Sequence, residues 1–141
     1  GTVTYTYTLD ASGNATLPAQ VTNYVVGLPY VAQWKSGKLL ELQSQLGSTL
    51  LTHENISGLG IVAADLHPKG LQFGPDFSHL DSLPSVEEGY PVDQSVMRTD
   101  YSEEPFIFPG TWSTDARLCL QARAPRPATI LAAVCDVKGN S

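Results

Sequence analysis

The sequence predicts an all-β fold, an antiparallel β-sandwich or small barrel of about seven or eight strands with one long irregular loop. Three observations carry this. Charged residues make up only 16% of the 141, against about 25% in an ordinary globular protein, and Thr, Ser, Gly and Pro are abundant, which suits short strands and turns. Several segments alternate β-branched or aromatic residues with polar ones at period two. Gly, Pro, Asn and Asp clusters interrupt those segments at short intervals.

In chain order, residues 3–9 (Val-Thr-Tyr-Thr-Tyr-Thr-Leu) alternate strictly and read as a strand. Asp10–Asn14 is turn chemistry, and residues 21–26 form a second expected strand, broken by Gly27-Leu28-Pro29. Over residues 37–51, Leu39, Leu40, Leu42, Leu46 and Leu50 fit either a helical stripe ending at Gly47 or a strand, a loop and another strand, with a lean to strand at both ends. Residues 56–66 read as a long strand whose Gly58 and Gly60 mark a bulge or a close backbone approach. His67–Gly70 is a turn.

From Gly74 to Gly110 the composition changes. This stretch holds eight of the fourteen acids against a single base, Arg98, and five of the ten prolines. It reads as a long irregular acidic loop, centred on 74–104, and loops of that length are usually functional or disordered. Phe106–Phe108 returns the chain to a strand. Residues 117–123 alternate, with Leu118, Leu120 and Ala122 on one face. Residues 129–137 are nearly all apolar and read as a central strand. If these last two pair as a hairpin, Cys119 and Cys135 fall on opposite sheet faces, which forbids the short Cβ approach of a disulfide.

One domain accommodates this length, and the opening Gly1 is read as the start of a module excised from a larger protein. The net charge of −6 disfavours non-specific nucleic-acid and anionic-lipid binding, which both depend on Lys and Arg. No apolar run reaches the roughly 20 residues of a membrane helix, and no signal peptide opens the chain. Two cysteines are too few for a disulfide framework or a structural zinc site.

The residues give no catalytic, cofactor or metal site. His53, His67 and His79 lack metal-ligand spacing to one another or to acids, and they read as solvated or capping residues. No Gly-x-Ser-x-Gly elbow or phosphate-binding glycine loop occurs. Arg117 and Arg123 near Cys119 could lower a thiol pKa, but no base partner accompanies them. Glu87-Glu88 and Glu103-Glu104 are adjacent doublets, not opposed carboxylates. Trp34, Trp112, Tyr5, Tyr7, Tyr24 and Tyr30 could form a sugar-stacking platform, although strand aromatics more often fill a core. Asn14-Ala15-Thr16 and Asn55-Ile56-Ser57 match the glycosylation pattern, as chance matches do in a chain this rich in Ser and Thr.

Several segments in order carry a resemblance: Leu9–Pro18, then Tyr24-Val25-Val26-Gly27-Leu28-Pro29-Tyr30, then Gly70-Leu71-Gln72-Phe73-Gly74, then Gly110-Thr111-Trp112, then Pro125-Arg126-Pro127-Ala128-Thr129-Ile130-Leu131. Together they resemble the C-terminal part of the tail nozzle proteins of short-tailed bacteriophages, the tail tubular protein B family, and related prophage structural proteins. The resemblance implies a non-enzymatic component of the virion tail, made in the bacterial host cytoplasm. It implies rings, hexameric in that family, that enclose the DNA ejection channel and contact other tail proteins. It implies no catalytic residue, cofactor, small-molecule substrate or specific nucleic-acid binding. Gly27, Leu28, Pro29, Tyr30, Pro125 and Pro127 match its motifs as structural residues, with Gly27 and Pro29 setting the backbone conformation. An acidic chain also suits a conduit, because like charge keeps DNA from sticking. The other reading of the residues is a carbohydrate-binding or adhesion module.

The acidic loop is expected at the surface as a contact with a neighbouring subunit or tail protein, since ionised carboxylates are costly to bury unpaired. Phe77, Leu80, Leu83, Val86 and Tyr90 would be its apolar anchors.

Overall fold

A computed structural model describes residues 7–24, 26–40, 52–87, 89–123 and 125–140. Among these there is no helix, and the all-β class holds. Nine strands are present: β1 (Val31–Lys35), β2 (His53–Leu66), β3 (Leu71–Asp76), β4 (His79–Ser82), β5 (Val86–Glu87), β6 (Tyr90–Pro91), β7 (Arg98–Phe106), β8 (Cys119–Arg123) and β9 (Ala128–Asn140). They form three antiparallel sheets with strand orders β1-β8-β3-β4, β7-β2-β9 and β5-β6.

One apolar core draws on both larger sheets. Ile56, Leu59, Ile61, Ala63 and Leu66 come from β2, Leu71 and Phe73 from β3, and Leu120 from β8. Leu83, Phe108 and Leu118 from the connections complete it, and Phe73 and Phe108 meet with ring centroids 6.1 Å apart. Burying such side chains is worth about 1.5–3 kcal/mol each.

Strand β2 keeps its apolar side chains on one face by bulging. Side chains alternate with period two, so Ile56 and Leu59, three residues apart, would fall on opposite faces of a regular strand. Ile56 pairs with Val137 and Gly58 with Asp136, which leaves Ser57 as the extra residue and restores the core face. A second bulge brings Leu66 back in line with Ala63, because Ala63 faces Ile130 and Asp65 faces Thr129. The bulge expected at the glycines of 56–66 is therefore present, in a strand that begins earlier, at His53.

Several sequence expectations are corrected. Residues 21–24 and 26 lie outside any strand and are exposed, as do 7–9, while 3–6 and 41–51 fall outside the described residues. β-Propensity reflects packing against neighbours on a pleated surface, and this segment has no sheet neighbour. The strand that does form there is Val31–Lys35, paired with β8 along its whole length. Residues 37–40 are irregular.

The acidic stretch is not one irregular loop. It holds the end of β3, all of β4, the short β5–β6 hairpin and the nine-residue β7. The β3–β4 turn is organised by Asp76, whose Oδ1 accepts from the backbone N of Ser78 (2.7 Å) and His79 (3.0 Å). Arg98, the one base of the stretch, pairs with Glu87. Phe106 ends β7, so residues 107 and 108 are not strand.

β9 is an edge strand of its sheet, not a central one, and it does not pair with β8. Ala133, Cys135 and Val137 pack against the core with Ile130. Regular alternation would put Leu131 on that face too. Val62 pairs with Ala132 and Ala63 with Ile130, so Leu131 is the extra residue of a third bulge and is 66% exposed. Cys119 and Cys135 belong to different sheets and are both free thiols.

Candidate functional site

Residues 7–24 and 26–35 are exposed throughout. Along this run Tyr24 is 73%, Val26 85% and Leu28 87% exposed, with Tyr30, Val31 and Trp34 also open. Large apolar side chains left this open along one segment are candidates for contact with a partner. Gly27 anchors it to the body. A Cβ placed there would stand 3.2 Å from Pro125 Cβ, so the glycine lets the strip approach the 125–127 connection.

The motif residues are partly brought together. Gly27 meets Pro125, and the Pro127 carbonyl accepts from the backbone N of His67 (3.0 Å) and lies against Gly70. Leu28, Pro29 and Tyr30 stand exposed beside that junction. Of the anchors expected on the acidic stretch, Tyr90 is exposed on β6, Phe77 is 38% exposed at the β3–β4 turn and Val86 is exposed on β5. Leu80 is half-buried, and Leu83 is a core residue at 5% exposure, so it is not available to a partner.

A second feature was not foreseen. Gln33, Gln121 and Gln72 lie opposite one another on β1, β8 and β3, and Ser82 of β4 faces Gln72. Gln33 Nε2 donates to Gln121 Oε1 (2.7 Å), and Gln121 Nε2 donates to Gln72 Oε1 (3.2 Å). The row crosses the sheet on the face opposite Phe73 and Leu120, and its Gln121 and Gln72 line a cleft of about 400 Å3. Leu83, Ser85, Gln94, Lys69, Arg123 and Arg126 line it as well. Arg126 Nη1 donates to the Lys69 backbone carbonyl (3.2 Å), which ties Arg126 to the Lys69 turn. Three of the chain's eight Lys and Arg line one cleft, and among the described residues no carboxylate does.

His67 reports the local field. Its Nδ1 accepts from the backbone N of Lys69 (3.0 Å). Burial, then Arg126 and Lys69, hold its pKa below the usual histidine value. The alternation in Leu71-Gln72-Phe73 and Leu120-Gln121-Ala122 signals a polar face, but the pairing of the glutamines depends on a strand order that no local pattern carries.

The remaining sequence candidates separate. His53 is exposed at the start of β2, and His79 Nδ1 lies 2.9 Å from Asp76 Oδ2 within the hairpin turn. Cys119 is fully buried with its Sγ 3.5 Å from the Pro75 carbonyl. Burial pushes its thiol pKa up and outweighs the lowering by Lys35 and Arg117. Burial raises the Cys135 thiol as well. Among the described residues no group of three or more His, Cys, Asp or Glu is placed to hold a metal ion.

Comparison with family models, curated proteins and solved structures finds no match to this chain.

Proposed function

We propose that this chain is a non-enzymatic structural module of a bacteriophage or prophage virion tail, of the nozzle type. In this reading it is part of a larger polypeptide that assembles into a ring of copies around the DNA ejection path. The observation that carries the proposal is the apolar strip of residues 24–34, held to the body at Gly27 and Pro125. Those two positions belong to two of the motifs that resemble the nozzle family, Val26–Tyr30 being the most specific of them. An isolated polypeptide gains nothing from leaving Tyr24, Val26, Leu28, Tyr30 and Trp34 in water, whereas an assembled one buries them against a neighbour.

The edge position of β9 supports the same reading. Thirteen residues of backbone end a sheet there, with Leu131 and Val134 each 66% exposed. An open edge of that length is normally covered by another chain or segment. The two larger sheets that share one core fit the sandwich form of the fold.

Immunogold electron microscopy of particles induced from the source genome tests the proposal. Antibody raised against this chain should label the tail of intact virions, and native mass spectrometry of the full-length product should give a closed ring. Absence of the polypeptide from purified particles would refute it.

A further inference from the structure

We propose that the cleft lined by Gln72 and Gln121 is a binding site for an acidic saccharide, a sugar that carries a carboxylate beside free hydroxyls. This stands apart from the tail assignment and does not depend on it.

Two independent features define the ligand. The first is charge. Lys69, Arg123 and Arg126 line a cleft in which no described residue places a carboxylate, on a molecule whose net charge is −6. A cationic recess on an acidic protein concentrates anions where the rest of the surface repels them. Arginine also presents its donors as a fork that matches a carboxylate.

The second is hydrogen-bonding capacity. The amides of Gln72, Gln94 and Gln121 and the hydroxyls of Ser82 and Ser85 line the same cleft as the bases, so an occupant that brings donors and acceptors beside a negative charge finds partners for all three. A bare inorganic anion at neutral pH supplies the charge and little donor capacity. A sugar acid supplies both, and its hydroxyls both donate and accept, as do the amides of Gln72 and Gln121 and the hydroxyls of Ser82 and Ser85.

The cleft volume of about 400 Å3 lies in the roughly 300–1,000 Å3 range of small-molecule sites. Among the described residues no aromatic side chain lines it. A neutral sugar therefore lacks a stacking surface, and the acid function becomes the discriminating group.

The test is titration of the 141-residue chain with tri-galacturonate, followed by amide chemical shifts and calorimetry. The expected result is saturable binding tighter than about 1 mM, weakened by added salt, with the neutral trisaccharide maltotriose at least about tenfold weaker. Arg123→Gln and Lys69→Gln, both at exposed positions that leave the core intact, should each weaken binding about tenfold. Gln94→Ala should weaken it less and Arg117→Gln, outside the cleft, not at all. Far-UV circular dichroism confirms that each variant is folded. No saturation at about 10 mM, equal affinity for maltotriose, or an Arg117→Gln loss as large as that of Arg123→Gln would overturn the site. So would tighter binding of inorganic phosphate, duplex DNA or a poly-glutamate peptide, since each would assign the cleft to a different ligand.

Discussion

Gly74 tests the packing of β4 against β3. A Cβ built at this position falls 1.9 Å from the His79 carbonyl oxygen, 2.9 Å from the His79 carbonyl carbon and 3.2 Å from Leu80 Cα. A methyl carbon and a carbonyl oxygen need roughly 3.3 Å, so Gly74→Ala forces the strands apart by more than about 1 Å. All three obstructing atoms are backbone, and no rotamer change relieves the overlap. The neighbouring pairs Gln72↔Ser82 and Phe73↔Asp81 must then stretch or break. Overpacking costs about 1–3 kcal/mol, and each ladder hydrogen bond lost adds about 1 kcal/mol. Because β4 is a four-residue edge strand, it can detach locally before the sheet unfolds, which caps the loss. The expected destabilisation is about 3 kcal/mol, or a fall of about 10 °C in Tm for a chain of this size. Gly37→Ala is the control: nothing lies within 4 Å of its added Cβ and its φ is not positive, so it should stay within about 0.5 kcal/mol of the parent. Urea unfolding followed by far-UV circular dichroism measures both. A Gly74→Ala chain as stable as Gly37→Ala would refute the β3–β4 packing.

Leu59 is fully buried, and Leu59→Ala should cost about 3 kcal/mol in the same assay, whereas Leu131→Ala on the exposed bulge should cost less than about 0.5 kcal/mol. Thiol titration should find both cysteines reactive after denaturation; in the native chain Cys119, which is fully buried, should react much more slowly than half-buried Cys135. His67 has a folded-state pKa below its unfolded value of 6.5. The unfolded chain therefore binds the proton first, so stability contributed by neutral His67 is complete above pH of about 6.5 and is lost as pH falls toward the lower folded value. His67→Asn should flatten that part of the stability profile, and an unchanged pH dependence would count against the burial of His67 beside Arg126 and Lys69.

The all-β class was legible because turn chemistry and period two are local signals. The 56–66 strand and its glycine bulge were read from such signals, and the His67–Gly70 turn likewise. What local pattern could not supply was the partner of each strand. Residues 21–26 have good strand composition but no neighbour, while Val31–Lys35 is a strand because β8 lies beside it. The apolar run 129–137 suggested burial on both faces; β9 buries one face, and bulging turns Leu131 out. Charge and proline density made 74–104 look irregular, yet Asp76 turns the chain and Arg98 pairs with Glu87. Of the candidate residues, Tyr90 and Phe77 are open and Leu83 is core. The cleft was illegible because Lys69, Arg123 and Arg126 are scattered in sequence and converge only through the β3–β8 pairing.

The glutamine row also bears on how the sheet finds its register. Alternation of apolar and polar residues excludes a slip of one position, since that turns every core side chain to the wrong face. It does not exclude a slip of two, which keeps Leu120 and Phe73 inside. A two-residue slip of β8 would set Cys119 or Arg123 opposite Gln33 and Gln72 in place of Gln121. Gln121 is only 5% exposed, and an amide left unpaired at that depth costs about 1–3 kcal/mol. The row therefore rejects the even-numbered misalignments that hydrophobic patterning tolerates, and three strands from distant parts of the chain share one alignment mark.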